Sequence, residues 1–125
     1  MAFTTVSTPN APSAVGPYSQ AIKTDSLIFV SGCVPLVPET MKVIEGDVQA
    51  QTTQALKNLR AVVEASGSSI DKVVKTTVFL QSMGDFAKVN EIYATVFPHK
   101  PARSCVEVAK LPLGVLVEVE CIATV

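Results

Sequence analysis

Two stretches of helical periodicity, separated by a β-branched stretch, constrain the fold of this 125-residue chain most strongly. Asp47 is a predicted N-cap for the first stretch, whose apolar residues recur at the spacing of one helix face until Gly67. The second stretch follows Asp85, which can cap its start, and Pro98 forbids its continuation. Between them, residues 73–80 have the β-branched and aromatic composition of a central strand.

Four further segments alternate apolar and polar residues as strands do. They are residues 19–23, 27–31, 102–109 and 115–124. We expect the last two to pair with each other through a turn at 110–114. No linker or low-complexity tract interrupts the pattern, which predicts a single domain over 1–125. The order β-β-α-β-α-β-β predicts an α+β fold in which two helices cover one face of a mixed sheet.

Charge and hydropathy bear on the class of partner. The 10 Lys and Arg residues against 11 Asp and Glu give a net charge of −1, and no basic run is present, which argues against nucleic acid. Apolar residues make up 48% of the chain and charged residues 17%, which predicts an oligomer. The longest apolar run is only a few residues, against about 20 for a bilayer span, so no membrane is expected.

The cysteines and the missing motifs bear on cofactors and compartment. Cys33, Cys105 and Cys121 are an odd number without a close pair, so we expect reduced thiols and neither a disulfide framework nor a zinc site. No metal-ligand spacing or glycine-rich phosphate loop is present, and no cofactor is predicted. A cytoplasmic protein fits best, and a mitochondrial one if a transit peptide precedes the sequence.

Alternation along the last two strands groups the charged residues. One face of the first carries Arg103, Cys105 and Glu107, and one face of the second carries Glu118 and Glu120. The opposite sets, predicted to pack under the helices, are Ser104, Val106 and Val108 on one strand and Val117, Val119 and Cys121 on the other. With that register the charged groups share the uncovered sheet face, where a partner subunit would cover them. A slip of one residue would send one charged set inward.

This constellation suggests chemistry on a small acid. The guanidinium fork of Arg103 matches a carboxylate with two parallel hydrogen bonds, and Glu118 or Glu120 could take a proton from water. The alternative is an interface network of ion pairs without chemistry. A cationic neighbour would favour the thiolate of Cys105, although a buried inert thiol is the simpler interpretation. His99 lies in a predicted solvated loop, so a cysteine–histidine nucleophile is not expected.

Five segments together carry a resemblance. They are Gly-Pro-Tyr-Ser-Gln at 16–20, Ser-Gly at 31–32, Val-Lys-Thr-Thr-Val-Phe at 74–79, Phe-Ala-Lys-Val-Asn at 86–90, and Pro-Ala-Arg-Ser-Cys-Val-Glu-Val-Ala-Lys-Leu-Pro at 101–112. In this order, and over nearly the whole chain, they resemble the RidA subfamily of the YjgF/YER057c/UK114 (Rid) family. The Pro-Ala-Arg-Ser block with the trailing Val-Glu-Val-Glu at 117–120 is the most specific part.

The resemblance implies a chorismate-mutase-like α+β fold assembled as a homotrimer, with ligand clefts between neighbouring subunits. It also implies a 2-iminobutanoate/2-iminopropanoate deaminase. Such enzymes hydrolyse the reactive enamine and imine acids released by pyridoxal-phosphate enzymes, 2-aminoacrylate among them, to 2-oxo acids and ammonia without a cofactor. The expected partners are therefore small 2-imino and 2-oxo acids.

The resemblance also assigns roles to residues. Arg103 would pair with the substrate carboxylate, Glu118 would hold and activate the attacking water, and Cys105 would place substrate or water through its backbone. The remaining cleft walls would be Tyr18, Ser31, Gly32 and Asn90. From the residues alone, Tyr18 after its Gly-Pro turn is equally an ordinary half-buried aromatic.

One departure and two alternative functions accompany this interpretation. Many RidA proteins have glutamine after the Ser-Gly pair, where this chain has Cys33, which puts any polar contact from that side chain in question. A non-catalytic protein that binds 2-oxo acids, with a chaperone-like regulatory role, is the first alternative. An endoribonuclease or translation inhibitor is the second, although the chain lacks a histidine pair and a basic stripe.

Overall fold

The computed structural model describes residues 2–125 and confirms an α+β fold with a mixed sheet and two long helices. The strands are β1 (Thr4–Val6), β2 (Ala21–Lys23), β3 (Leu27–Cys33), β4 (Leu36–Val37), β5 (Lys42–Val43), β6 (Val73–Leu80), β7 (Ala102–Glu107) and β8 (Val117–Thr124). The helices are α1 (Val48–Ala65) and α2 (Phe86–Val96). The main sheet has the order β1-β2-β3-β8-β6-β7, and β4 with β5 forms a separate hairpin.

The boundaries of α1 follow from local chemistry. The side chain of Asp47 accepts a hydrogen bond from the backbone N–H of Ala50 at 3.0 Å, which confirms the predicted N-cap. Gly67 follows the helix with φ of +86°, a left-handed conformation that glycine adopts without steric cost, and this confirms the predicted stop. The buried face of α1 includes Leu56 and Leu59, at the predicted helical spacing.

The start of α2 differs in part from the prediction. Asp85 stands at the N-cap position, as predicted, but its side chain makes no capping hydrogen bond. A single 3₁₀ turn precedes the helix instead, and Ser82 caps that turn by accepting from the N–H of Gly84 at 3.2 Å. The end is as predicted, since α2 stops at Val96, two residues before Pro98.

The pairing predicted for the last two strands is wrong. β7 does not form a hairpin with β8 but pairs with β6 in parallel, and β8 lies between β3 and β6, antiparallel to both. Because parallel neighbours need a crossover, α2 supplies the connection from β6 to β7. β8 alternates buried residues with residues that are partly buried or, at Glu120, exposed. β7 is largely exposed, as suits an edge strand. β1 and the β4–β5 hairpin were not predicted.

Register determines which residues face the helices. Val117, Val119 and Cys121 are buried there, as predicted. On β7 the prediction is inverted, because Thr76 and Val78, both fully buried, stand beside Arg103 and Cys105. Arg103, Cys105 and Glu107 therefore lie on the helix-bearing face, and Ser104 and Val106 lie on the other. An edge strand tolerates this arrangement, since the Arg103 side chain is exposed at the rim rather than buried.

The core lies between the sheet and the two helices, and one buried amide ties α1 to the chain after β3. Asn58 is 1% exposed, and its Nδ2 donates to the carbonyls of Val34 at 3.0 Å and Leu36 at 2.8 Å. Its Oδ1 accepts from Gln54 Nε2 at 2.9 Å. This amide fixes the β4–β5 hairpin against the helix. No helix within residues 2–125 is both long and apolar enough to cross a membrane.

The substitution Asn58→Ala should lower the free energy of unfolding by about 1–3 kcal/mol, because it leaves two carbonyls and a buried amide without their partner. Lys57→Ala, on the exposed side of the same helix, should change it by less than about 0.5 kcal/mol. Urea unfolding at one protein concentration measures both. Equal effects would contradict the role of the amide.

Candidate active site

Four of the predicted site residues line one cleft of about 700 Å³. They are Tyr18, Ser31, Gly32 and Glu118, called here the glutamate cluster. Glu120 lines the same cleft, and the segment 11–13 and the turn at 112–113 supply further walls. The cleft thus combines two carboxylates and three hydroxyls with largely apolar walls, the composition of a small-molecule site.

The bulge in β3 brings Gly32 against Glu118. The pairing of β3 with β8 shifts register between Val30 and Cys33, so Ser31 and Gly32 stand out of the regular ladder. A Cβ added to Gly32 would lie 2.8 Å from Cδ and 3.2 Å from Cγ of Glu118. Glycine at this position therefore makes room for the carboxylate, which is a steric role that the sequence alone did not reveal.

A buried glutamine holds one wall of the cleft. Gln20 Nε2 donates to the carbonyls of Thr8 at 3.1 Å and Pro12 at 2.8 Å, and its Oε1 accepts from the N–H of Thr8 at 2.7 Å. The backbone N–H of Ser31 donates to the carbonyl of Gln20 at 3.0 Å. One side chain thus joins the wall to the strand beside the bulge. Sequence reasoning gave this residue no role, although it ends the Gly-Pro-Tyr-Ser-Gln segment that contributes to the resemblance.

The environment of Glu118 disfavours its charged form. Partial burial raises the pKa of the Glu118 carboxyl above its ordinary value, and repulsion from Glu120 raises it further. Burial likewise raises the pKa of the Cys33 thiol far above its usual range, with additional repulsion from Cys121 and Glu118. Cys33 lines the cleft as a neutral thiol, and its Sγ donates to the carbonyl of Ser31 at 3.4 Å.

The second group of site residues surrounds Arg103. Its Nη1 donates to Oδ1 of Asn90 at 2.7 Å, and its guanidinium carbon lies 4.7 Å from the ring centroid of Tyr93 and 5.5 Å from that of Phe86. We call Phe86, Asn90, Tyr93 and Arg103 the arginine cluster. The three α2 residues are spaced by four and three, which places them on one helix face. A groove of about 310 Å³ adjoins the cluster.

Cys105 is not activated by its arginine neighbour. Burial raises the pKa of the Cys105 thiol, and the opposing effect of Arg103 is smaller. Arg103 does lower the pKa of the Cys105 thiol, as predicted, but burial raises it by more, so the neutral thiol is favoured. His99 is exposed, as expected, and its ring hydrogen-bonds the carbonyl of Val73 at 2.9 Å without lining either cavity. Within residues 2–125, no group of three or more His, Cys, Asp or Glu could hold a metal ion.

The two clusters lie on opposite faces of the sheet. Glu118 faces away from the helices, because its strand neighbours Val117 and Val119 are buried against them. Arg103 is on the helix-bearing face, beside Thr76. The prediction that Arg103 and Glu118 share one face of a single chain is therefore wrong. One chain presents a carboxylate half and a separate guanidinium half.

Comparisons with known proteins give the family. The profile of the family described as Endoribonuclease L-PSP matches residues 8–125. The chain is 48% identical over 123 residues to 2-iminobutanoate/2-iminopropanoate deaminase of Salmonella typhimurium, covering 95% of each protein. It is 53% identical over 120 residues to the chloroplastic Reactive Intermediate Deaminase A of Arabidopsis thaliana, covering 95% of this chain and 64% of that protein.

A solved structure extends the likeness to three dimensions. The crystal structure of Escherichia coli TdcF with bound serine superposes with a TM-score of 0.93 at 40% identity, covering 98% of each chain. The sequence profile, the curated relatives and the superposition agree over almost the full length. The chain therefore belongs to the Endoribonuclease L-PSP family, which is the YjgF/Rid family that its sequence resembles.

Proposed function

We propose that this protein is a 2-iminobutanoate/2-iminopropanoate deaminase whose clefts form between two copies of the chain. The observation that carries the proposal is the division of the site. A carboxylate cluster and a guanidinium cluster lie on opposite sheet faces, and neither alone can both grip an acid and activate water. The names of the Salmonella and Arabidopsis relatives support the reaction, and the serine bound to TdcF supports a small amino-acid-like ligand.

A homotrimer would join the two halves. The sheet face without helices exposes Phe29 at 42% and Val106 at 43%, apolar surface that a second copy would cover. A head-to-tail contact sets different surfaces of the chain against each other, and three copies close such a contact into a ring. The glutamate cluster of one copy would then face the arginine cluster of the next, giving three equivalent clefts.

The chemistry needs no strong nucleophile. Arg103 binds the substrate carboxylate through its fork, while its bond to Asn90 sets the orientation. The imine carbon is already electrophilic, so a water oriented by Glu118 adds to it as the carboxylate takes the water proton. That proton then passes to the nitrogen, which gives a tetrahedral carbinolamine. Glu118 next takes the proton of the new hydroxyl and hands it to the same nitrogen, the carbon–oxygen double bond forms as the carbon–nitrogen bond breaks, and the products are ammonia and a 2-oxo acid. Cys33 leaves a small thiol beside Glu118 where many RidA proteins have glutamine.

Two other functions give different outcomes in simple assays. A non-catalytic protein would bind 2-oxobutanoate but leave the decay rate of the imine unchanged. The family name Endoribonuclease L-PSP favours RNA cleavage as a second candidate. Against it, the cleft carries Glu118 and Glu120, whose charges repel a phosphate backbone. RNA cleavage that persists through stringent purification and disappears in Arg103→Ala would favour this candidate.

Mixing two inactive variants tests the shared cleft. With threonine dehydratase generating 2-iminobutanoate, the wild type should accelerate the release of ammonia, and Arg103→Met and Glu118→Gln should each lose nearly all of this acceleration. When the two variants are unfolded and refolded together, about one in four clefts should combine an intact Glu118 with an intact Arg103, since the contact is heterologous.

Activity of the mixture near one quarter of the wild-type rate is therefore the expected result. Each variant refolded alone is the control, and sedimentation of all samples should give a species of three chains. A mixture as inactive as its components would place both groups of the site on one chain and contradict the shared cleft.

The pH dependence of the deaminase activity should follow the ionisation of the Glu118 carboxyl. Because its pKa is raised, the ionised base that accepts the proton forms only above the ordinary carboxyl range, so activity should rise with pH through that raised value. A raised pKa also means that ionisation costs stability, fully above the folded pKa and not at all below the unfolded one. Glu118→Gln should therefore melt higher than the wild type at neutral pH, with the difference vanishing in acid.

Gly32→Ala should impair turnover more than folding. The added methyl would meet the Glu118 carboxylate, which moves away more easily than backbone does. We expect kcat to fall at least about ten-fold, since misplacing a catalytic group is costly, while the melting temperature changes little. Gly84→Ala, where the nearest atom to an added Cβ is the Ser82 hydroxyl at 3.2 Å, is the control remote from the cleft. Unchanged kcat in Gly32→Ala would refute this steric role.

A further inference from the structure

The face of α2 toward the arginine cluster contains a residue to which neither the sequence nor the comparisons give a role. The Tyr93 ring lies 4.7 Å from the guanidinium carbon of Arg103, within the range of a cation–π interaction, and closer than the Phe86 ring at 5.5 Å. Asn90 contacts only Nη1 of the same guanidinium. The guanidinium of Arg103 thus lies over aromatic surface, while one of its nitrogens is bonded to an amide.

Contacts with Thr76 and Phe97 hold the Tyr93 side chain in place. Its hydroxyl makes a 2.6 Å hydrogen bond with Oγ1 of Thr76, a residue with no exposed surface. Its ring packs on Phe97 with centroids 4.7 Å apart. Thr76 lies directly beside Arg103 in the sheet register. The hydroxyl therefore anchors the ring to the strand next to the one that carries the arginine.

This support matters because an arginine side chain is long and has many rotamers. Arg103 is exposed, and fixing it on a carboxylate would cost rotamer freedom unless the protein holds it beforehand. The contacts with the two rings and with Asn90 restrain the guanidinium, and Nη1 is the nitrogen that the Asn90 bond uses. A carboxylate that reaches Arg103 therefore meets a guanidinium that is already held in place for hydrogen bonding.

We infer that Tyr93 is a positioning residue, which acts through Arg103 to orient the guanidinium for the carboxylate of a 2-imino or 2-oxo acid. The inference rests on the proposed function for the identity of the ligand. The contact between Tyr93 and Arg103 is observed in the structure and does not depend on that function. The aromatic ring of Tyr93 is the part that contacts and orients the guanidinium. The hydroxyl serves to hold the ring in place.

Two substitutions separate ring from hydroxyl. Tyr93→Phe keeps the ring and loses the bond to Thr76, and Tyr93→Leu removes the ring. We expect Tyr93→Leu to raise the Kd of 2-oxobutanoate about five-fold, the size of a cation–π contribution, and to raise the KM of the imine likewise with kcat nearly unchanged. Tyr93→Phe should stay within about two-fold of the wild type in both, because the ring that holds Arg103 remains.

A spectroscopic readout follows Arg103 directly. The Tyr93 ring current should shift the side-chain protons of Arg103 upfield in the NMR spectrum. This shift should survive in Tyr93→Phe and become clearly smaller in Tyr93→Leu, where only the more distant Phe86 ring remains. Val89→Ala, a buried truncation on the same helix without contact to Arg103, controls for lost stability. It should lower the melting temperature and leave both the Kd and the Arg103 shifts unchanged. If Tyr93→Leu does not fold, Tyr93→Met replaces it.

The outcomes are distinct. The inference is overturned if Tyr93→Leu leaves the Kd and the Arg103 shifts as in the wild type, or if Tyr93→Phe weakens binding as much as Tyr93→Leu does. It is also overturned if Val89→Ala weakens binding equally, since the effect would then follow stability. A wild type that neither binds 2-oxobutanoate nor turns over the imine would refute the proposed function instead, while the NMR shifts would still test the contact.

Discussion

Burial of Val117, Val119 and Cys121 against the helices determines the direction of Glu118. Because strand side chains alternate, a slip of one residue in β8 would drive two carboxylates into the core and bring its apolar residues to the surface. The strand lies between β3 and β6 and pairs with both along most of its length, so the register is held from two sides. The position of the cleft carboxylate therefore follows from core packing. The glycine opposite it then provides the space in which the carboxylate lies.

How well the sequence predicts each element depends on the range of the interactions involved. The cap at Asp47 and the stop at Gly67 depend on a few adjacent residues and were predicted correctly. The faces of β8 follow from its own alternation, and they were also predicted. The partner of β7 depends on where the chain returns after α2, and nothing within residues 102–107 encodes it. The wrong hairpin led directly to the wrong face for Arg103.

The same distinction between local and long-range interactions applies to the residues of the site. Glu118 and Arg103 were recognisable as chemical groups, and the resemblance of the motifs gave their roles. Gly32 was named as a wall, but its contact with Glu118 arises from a bulge that the sequence does not specify. Tyr93 belongs to the apolar periodicity of the second helical stretch, which by itself indicates only a core position. Its spacing from Asn90 and Phe86 was visible, yet only the parallel placement of β7 beside Thr76 brings Arg103 onto that face.

Separation of the two charges within the chain has a physical consequence for binding. A guanidinium and a carboxylate that met within one folded chain would form an ion pair, and a substrate carboxylate would then have to displace it. Here the side-chain hydrogen bond of Arg103 goes to the neutral amide of Asn90, and the nearest charged influence on Glu118 is another carboxylate. Arg103 thus keeps its charge free for a substrate, and Glu118 keeps the raised pKa that burial and Glu120 give it. A small acid entering a cleft shared by two chains would neutralise the arginine, while the glutamate, held apart from it, remains free to act as a base.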